Sequence, residues 1–204
     1  SFEKYVDYLL DVPMYFIKRK DKYVNLSGNT FRSFMERSIK GFNDLEANEK
    51  DWEIHITTVF PEVRLKSFIE LRGADGGPWS RVCALPAFWA GILYDDSTLD
   101  EISDFISDWS FDQIKKFYSD TRIHGLNAKA PNGNTLIQFA KKIIDLSAMG
   151  LSRRNIINSG KNEESFLEPL RQILHSGISP AENWKNLYLN QWSKNIDMLY
   201  KNNY

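Results

Sequence analysis

Glu70 and Arg72 stand two residues apart in the run Ile69-Glu70-Leu71-Arg72 of this 204-residue chain. In an extended strand that spacing is ~7 Å and puts both side chains on one side. A carboxylate so placed can hold Mg²⁺, and a guanidinium beside it can clamp an oxygen of a phosphoryl group in transfer. The same spacing fits a solvated ion pair of small energetic weight, and the two residues alone leave both readings open.

Other chemistries are poorly supplied. His55, His124 and His175 lack the four-residue spacing that sets two imidazoles on one helical face, which argues against a zinc-protease site. There is no Gly-x-Ser-x-Gly elbow. Gly73 to Gly77 is glycine-rich but lacks the Lys-Ser/Thr ending of a phosphate loop. Cys83, the single cysteine, reads as a buried inert thiol at the edge of an apolar run. Alone it forms no internal disulfide and no cysteine metal cluster, and it fits a reduced compartment, so the cytoplasm is expected.

The elements that must position Glu70 and Arg72 follow from periodicity. From Val63 to Arg72 the chain alternates: Leu65, Ser67, Ile69 and Leu71 to one side, and Arg64, Lys66, Phe68, Glu70 and Arg72 to the other. That predicts one strand with an apolar and a charged face, broken by the loop Gly73 to Pro78. On such a strand Arg64 lies ~20 Å from Glu70, on the charged cleft face but out of reach of the same metal. Upstream, Met14-Tyr15-Phe16-Ile17 and Tyr23-Val24 predict a hairpin. A short helix is expected from Asn29-Thr30 through Phe31, Phe34 and Ile39, ended by Gly41, and another over Asp51 to Thr58, stopped before Pro61.

Downstream the chain reads as nearly all helix. Leu85 to Tyr94 predicts a buried helix with Pro86 in its first turn. Thr98 with Glu101 and Ser110 with Gln113 fit capping boxes, and Ser179-Pro180-Ala181-Glu182 starts a helix that spaces Trp184, Leu187, Tyr188, Gln191, Trp192, Asn195 and Leu199 on one face. Leu136 to Ala148 and Phe166 to Leu174 predict two more, ended by Gly150 and Gly177.

With 26 Lys+Arg against 27 Asp+Glu and a net charge of -1, the chain has no overall field for phosphate backbones or anionic lipid. It shows no local basic stripe either, so neither nucleic acid nor membrane is an expected partner. At 42% hydrophobic and 26% charged it is far from the composition of disordered chains. Its longest apolar run is about half of the ~20 residues that a bilayer span needs, and no signal peptide is visible. After Ser1 the chain enters Tyr5, Val6, Tyr8, Leu9 and Leu10 at once, as a segment from within a longer protein would.

Four ordered segments carry a resemblance: Asp11-Val12-Pro13-Met14-Tyr15-Phe16, Phe60-Pro61-Glu62-Val63-Arg64-Leu65-Lys66, Glu70-Leu71-Arg72-Gly73-Ala74-Asp75-Gly76-Gly77-Pro78-Trp79 and Cys83-Ala84-Leu85-Pro86-Ala87-Phe88-Trp89. Together with Gly150-Leu151-x-Arg153-Arg154 and Pro180-Ala181-Glu182, they resemble the C-terminal half of plant-type and proteobacterial glutamate-cysteine ligase. The resemblance implies an α+β, glutamine-synthetase-like antiparallel sheet portion (1–82), followed by a mostly helical region (83–204), both within one catalytic domain.

It also implies a reaction, in which ATP drives the joining of glutamate's γ-carboxylate to cysteine's amine through γ-glutamyl phosphate, the first step of glutathione biosynthesis. The implied small-molecule partners are glutamate, cysteine and ATP, with Mg²⁺ as cofactor. Glu70 and Arg72 match the family's strand motif, the glutamate on Mg²⁺ and the arginine on the phosphate being transferred. Tyr15 and Met14 fall where the family lines its amino-acid pocket, and Arg64 joins them as a substrate-binding candidate. The family's other metal-binding acids lie in its N-terminal half, the implied partner of this chain, which alone is expected to be inactive. Cys83 matches a plant cysteine of redox control whose disulfide partner also belongs to that half. Two alternatives are a ligase that joins glutamate to another amine and a non-catalytic binding module on the same scaffold.

Overall fold

The computed structural model describes residues 1–203, which divide into two compact units, Ser1–Ala74 and Asp75 onward. In the first unit, helix α1 (Phe2–Asp11) is followed by the hairpin β1 (Phe16–Arg19) and β2 (Lys22–Asn25), the helices α2 (Phe31–Met35) and α3 (Glu49–Thr58), and a second hairpin, β3 (Val63–Leu65) and β4 (Ile69–Leu71). Met14, Ile17, Leu26, Phe31, Phe34 and Ile39 form its core. The expected first hairpin is present, with Ile17 opposite Val24, and Met14 and Tyr15 lie just ahead of its first strand.

Helix α2 stops at Met35, not at Gly41: Arg37 takes a left-handed φ of 52°, and Ile39 reaches the core from the turn beyond. Helix α3 starts with a reciprocal cap between Asn48 and Asp51. The buried Asp51 carboxylate also receives Arg19 of β1 at 2.6 and 2.8 Å, so one side chain both starts the helix and ties it to the hairpin.

The segment predicted as one strand is folded back on itself. Val63, Arg64 and Leu65 pair with Leu71, Glu70 and Ile69, and the turn closes with the Lys66 N–H donating to the Phe68 carbonyl at 2.9 Å. Each pair joins residues of the same parity, so the turn keeps every side chain on the face that a continuous strand would give it. Alternation therefore reads the same for a strand and for this hairpin.

The second unit holds the helices α4 (Trp79–Leu93), α5 (Asp96–Ile106), α6 (Phe111–His124) and α7 (Leu136–Arg154), the small ladder β5 (Ile157–Asn158) and β6 (Lys161–Asn162), a 3₁₀ turn (Glu163–Leu167), and α8 (Glu168–Ser176), α9 (Pro180–Asn190) and α10 (Asp197–Asn203). The α+β class is as expected, although its sheet is three separate two-stranded antiparallel ladders. Among the described residues no helix is long and apolar enough to cross a membrane.

Several helix boundaries of this unit differ from expectation. Helix α4 begins at Trp79, which places Pro86 in its interior. Helix α5 is capped by Asp95, whose carboxylate accepts from both the Thr98 N–H and the Thr98 hydroxyl; Thr98 is the third helical residue and not the cap. Helix α7 runs through Gly150 to Arg154. Gly150 is there for contact: a Cβ on it would lie 1.9 Å from the Gly91 carbonyl oxygen, and one on Gly91 would lie 2.2 Å from the Ser147 carbonyl oxygen. The core formed by Ala87, Ile144, Ala148, Leu151 and Leu167 depends on that close approach of α4 and α7. Helix α9 ends at Asn190, and Ser193 and Lys194, both at positive φ, break the face expected to continue to Leu199.

Candidate active site

The β3–β4 hairpin brings three of the predicted residues into one cluster. Arg64 and Glu70 are paired across the ladder, and Arg64 Nε donates to Glu70 Oε2 at 2.8 Å, with Nη2 at 2.8 Å from the same oxygen. Arg72 Nη1 donates to Glu70 Oε1 at 3.0 Å. The ~20 Å separation expected for Arg64 is thus overturned, because the chain reverses between the two residues. Arg64 Nη1 donates to the carbonyls of Thr57 (2.6 Å) and Val59 (3.2 Å), at the end of α3. The charged face that was expected to be solvated is here partly closed, with Arg64 buried and the Glu70 side chain about one-third exposed.

Phe60 completes the cluster; in the sequence it stood only as the first residue of a resembling segment, with no role of its own. Its exposed ring carries the Arg72 guanidinium at 5.1 Å and that of Arg64 at 5.9 Å, a cation–π arrangement that holds both planes. Phe60 also lines a groove of about 360 Å³ with Tyr8, Met14, Tyr15, Ser27 and Val59. Tyr15 is 53% exposed and among the described residues its hydroxyl has no hydrogen-bond partner, which suits a ligand contact. Met14 is 2% exposed and packs in the core; it shapes the groove floor and offers a ligand no more than its edge.

The two guanidiniums around the Glu70 carboxylate supply charged N–H donors that suit an anionic guest. The hydrogen bond from Arg64, helped by the charges of both arginines, holds the Glu70 carboxyl below the usual glutamate range, so it is ionised at neutral pH. Oε1 accepts a single N–H and keeps a lone pair for a cation. Mg²⁺ is commonly held by one or two carboxylates together with phosphate oxygens, and Glu70 fits as one such ligand. Among the described residues no group of three or more His, Cys, Asp or Glu side chains is gathered for a metal. Cys83 is a free, half-buried thiol on α4.

The sequence profile of glutamate-cysteine ligase family 2 matches residues 1–202. The chain belongs to that family. A chloroplastic glutamate-cysteine ligase A of Oryza sativa subsp. indica is 44% identical over 98% of this chain and 40% of its own length. The chloroplastic glutamate-cysteine ligases of Nicotiana tabacum and Arabidopsis thaliana are each 42% identical, over 98% of this chain and 37% of their own lengths. This family member therefore spans about two-fifths of the length of those relatives. Because they are chloroplastic, the expected cytoplasmic location is overturned: a lone cysteine marks a compartment where thiols survive and does not separate the cytoplasm from the inside of an organelle.

Proposed function

We propose that this chain supplies the phosphoryl-handling corner of a glutamate-cysteine ligase that uses ATP and works with a further stretch of polypeptide. The observation that carries the reading is Glu70 held ionised between Arg64 and Arg72, near a groove of amino-acid size lined by Tyr15 and Phe60. A carboxylate and an amine do not condense in water unless the carboxylate is activated, and among the described residues of the cluster and groove none is a nucleophile paired with a base to form an acyl-enzyme. The energy then enters when an oxygen of glutamate's γ-carboxylate attacks the terminal phosphorus of ATP and ADP departs. The amine of cysteine attacks the γ-carbonyl carbon of the resulting γ-glutamyl phosphate, phosphate leaves, and the amine's proton passes to solvent.

Arg72 stabilises the charge that develops on the phosphoryl oxygens, its guanidinium lying 5.1 Å from the ring of Phe60, which lines the groove. Glu70 is the carboxylate for Mg²⁺, which when bound neutralises phosphate charge. Without the remaining polypeptide the chain is inactive. Positional isotope labelling tests the route in the enzyme that carries this chain: oxygen-18 in the γ-carboxylate of glutamate must deliver one labelled oxygen to the released phosphate. Unlabelled phosphate would remove the acyl-phosphate route and the role of Arg72 with it.

A further inference from the structure

Arg64 is 7% exposed, and a cation so deep must have its charge and its donors matched on the spot. The matching runs in two directions. Nη1 donates to the carbonyls of Thr57 and Val59, which are fixed by the end of α3, while Nε and Nη2 converge on Glu70 Oε2. Neither Arg64 nor Glu70 is among the residues that line the groove beside Tyr15. Oε2 takes both contacts from Arg64, and among the described residues Oε1 accepts only from Arg72, at 3.0 Å.

We propose that Arg64 is a positioning residue: it contacts no substrate, and it fixes the Glu70 carboxylate so that Oε1 is turned toward the reacting phosphoryl group beside Arg72. The proposal rests on the reading of Glu70 and Arg72 as site residues. It replaces the expectation that Arg64 binds substrate, and the two differ in what they predict. A substrate ligand acts on KM, whereas a residue that orients another acts on turnover and on whatever Glu70 binds.

Lysine cannot reproduce the arrangement, because one ammonium on a flexible stem does not reach two carbonyls and a carboxylate together. In the enzyme that carries this chain, Arg64→Lys should lower kcat by roughly 10–100-fold, the usual cost of losing an outer partner of a metal-binding group. KM for glutamate and for cysteine should stay near wild type. Calorimetric binding of Mg²⁺ with a non-hydrolysable ATP analogue gives a readout free of turnover. It should weaken in Arg64→Lys, weaken in Glu70→Gln, and weaken no further in the double variant.

A raised KM with unchanged kcat, or losses that add in the double variant, would overturn the proposal. So would normal kcat in Arg64→Lys while Glu70→Gln is impaired, an outcome that leaves the site reading intact; normal turnover in Glu70→Gln would instead sink the site reading itself. If Arg64→Lys lowers the thermal midpoint, Arg64→Gln, which buries no unmatched charge, is read by the same measurements.

Discussion

Replacing Gly150 by alanine should be among the most damaging single-methyl changes in the second unit. The added Cβ would lie 1.9 Å from the Gly91 carbonyl oxygen, 2.9 Å from the Gly91 carbonyl carbon and 3.0 Å from Thr98 Oγ1. The two nearest atoms are backbone, so no rotamer change relieves the overlap, and α4 and α7 must separate by about an ångström. A gap of that size forfeits roughly a quarter to a half of the dispersion energy of each contact it opens. The contacts at stake are those of Ala87, Ile144, Ala148 and Leu151. Overpacking of this kind costs typically 1–3 kcal/mol and sometimes more, against about 1 kcal/mol returned because alanine is the better helix former.

A net loss of about 1–2 kcal/mol is expected for Gly150→Ala, which in a unit of this size lowers the melting midpoint by about 5 °C. Urea titration of the chain followed by far-ultraviolet circular dichroism measures it. Gly76→Ala is the control, since a Cβ there meets nothing within 4 Å. A Gly150→Ala chain as stable as wild type would show that α4 and α7 do not cross at these glycines.

The buried His55 donates Nε2–H to the Leu9 carbonyl at 2.7 Å, and among the described residues its Nδ1 has no partner. Burial pushes its pKa down, so the unfolded chain takes up a proton near pH ~6.5 before the native one does. Stability should be full above that pH and decline as pH falls below it, until the depressed native value is passed; urea unfolding between pH 8 and pH 5, at about these limits, should show a shallower slope for His55→Gln, and an identical slope would acquit the histidine. Arg72→Lys should lose most turnover, because a point charge does not replace a planar fork on phosphoryl oxygens and on the Phe60 ring; steady-state kinetics with a near-wild-type kcat would contradict this. Tyr15→Phe should fold normally and raise KM for an amino-acid substrate by about 10-fold, the worth of one hydrogen bond, and unchanged Michaelis constants would take the hydroxyl out of the pocket.

What was legible in the sequence was local. Ser110 and Gln113, or Ser179 with Pro180 and Glu182, declare their helix starts because the capping partners are three residues apart, and the Glu70–Arg72 pair declares itself by strand spacing. What stayed hidden depended on partners far along the chain. The Lys66-Ser67-Phe68 turn has no glycine, asparagine or proline to announce it, and a parity-preserving register erases its trace in the alternation, so Arg64 reads as remote from Glu70 when the two are bonded. Gly150 has the look of a helix stop because the sequence does not reveal that Gly91 is pressed against it. Thr98 resembles a cap because Asp95, the actual one, sits three residues earlier and is tied down by Arg153 at 2.6 Å.

Helix α3 is gripped at both ends by arginines from different hairpins: Arg19 of β1 through Asp51 in its first turn, and Arg64 of β3 through the carbonyls of Thr57 and Val59 at its last. An acid at the start and a cation at the finish also suit the direction of the helix dipole. The helix thereby works as a ruler. Asp51 and Thr57 are six residues apart, and at 1.5 Å per residue that sets about 9 Å between the two grips. Removing or adding one residue inside α3 would turn its far end by about 100° and release one of the two grips, whichever sequence filled the gap. Lys50 and Glu53, on the exposed side, are therefore free to change in kind, while the number of residues between Asp51 and Thr57 is not free to change at all.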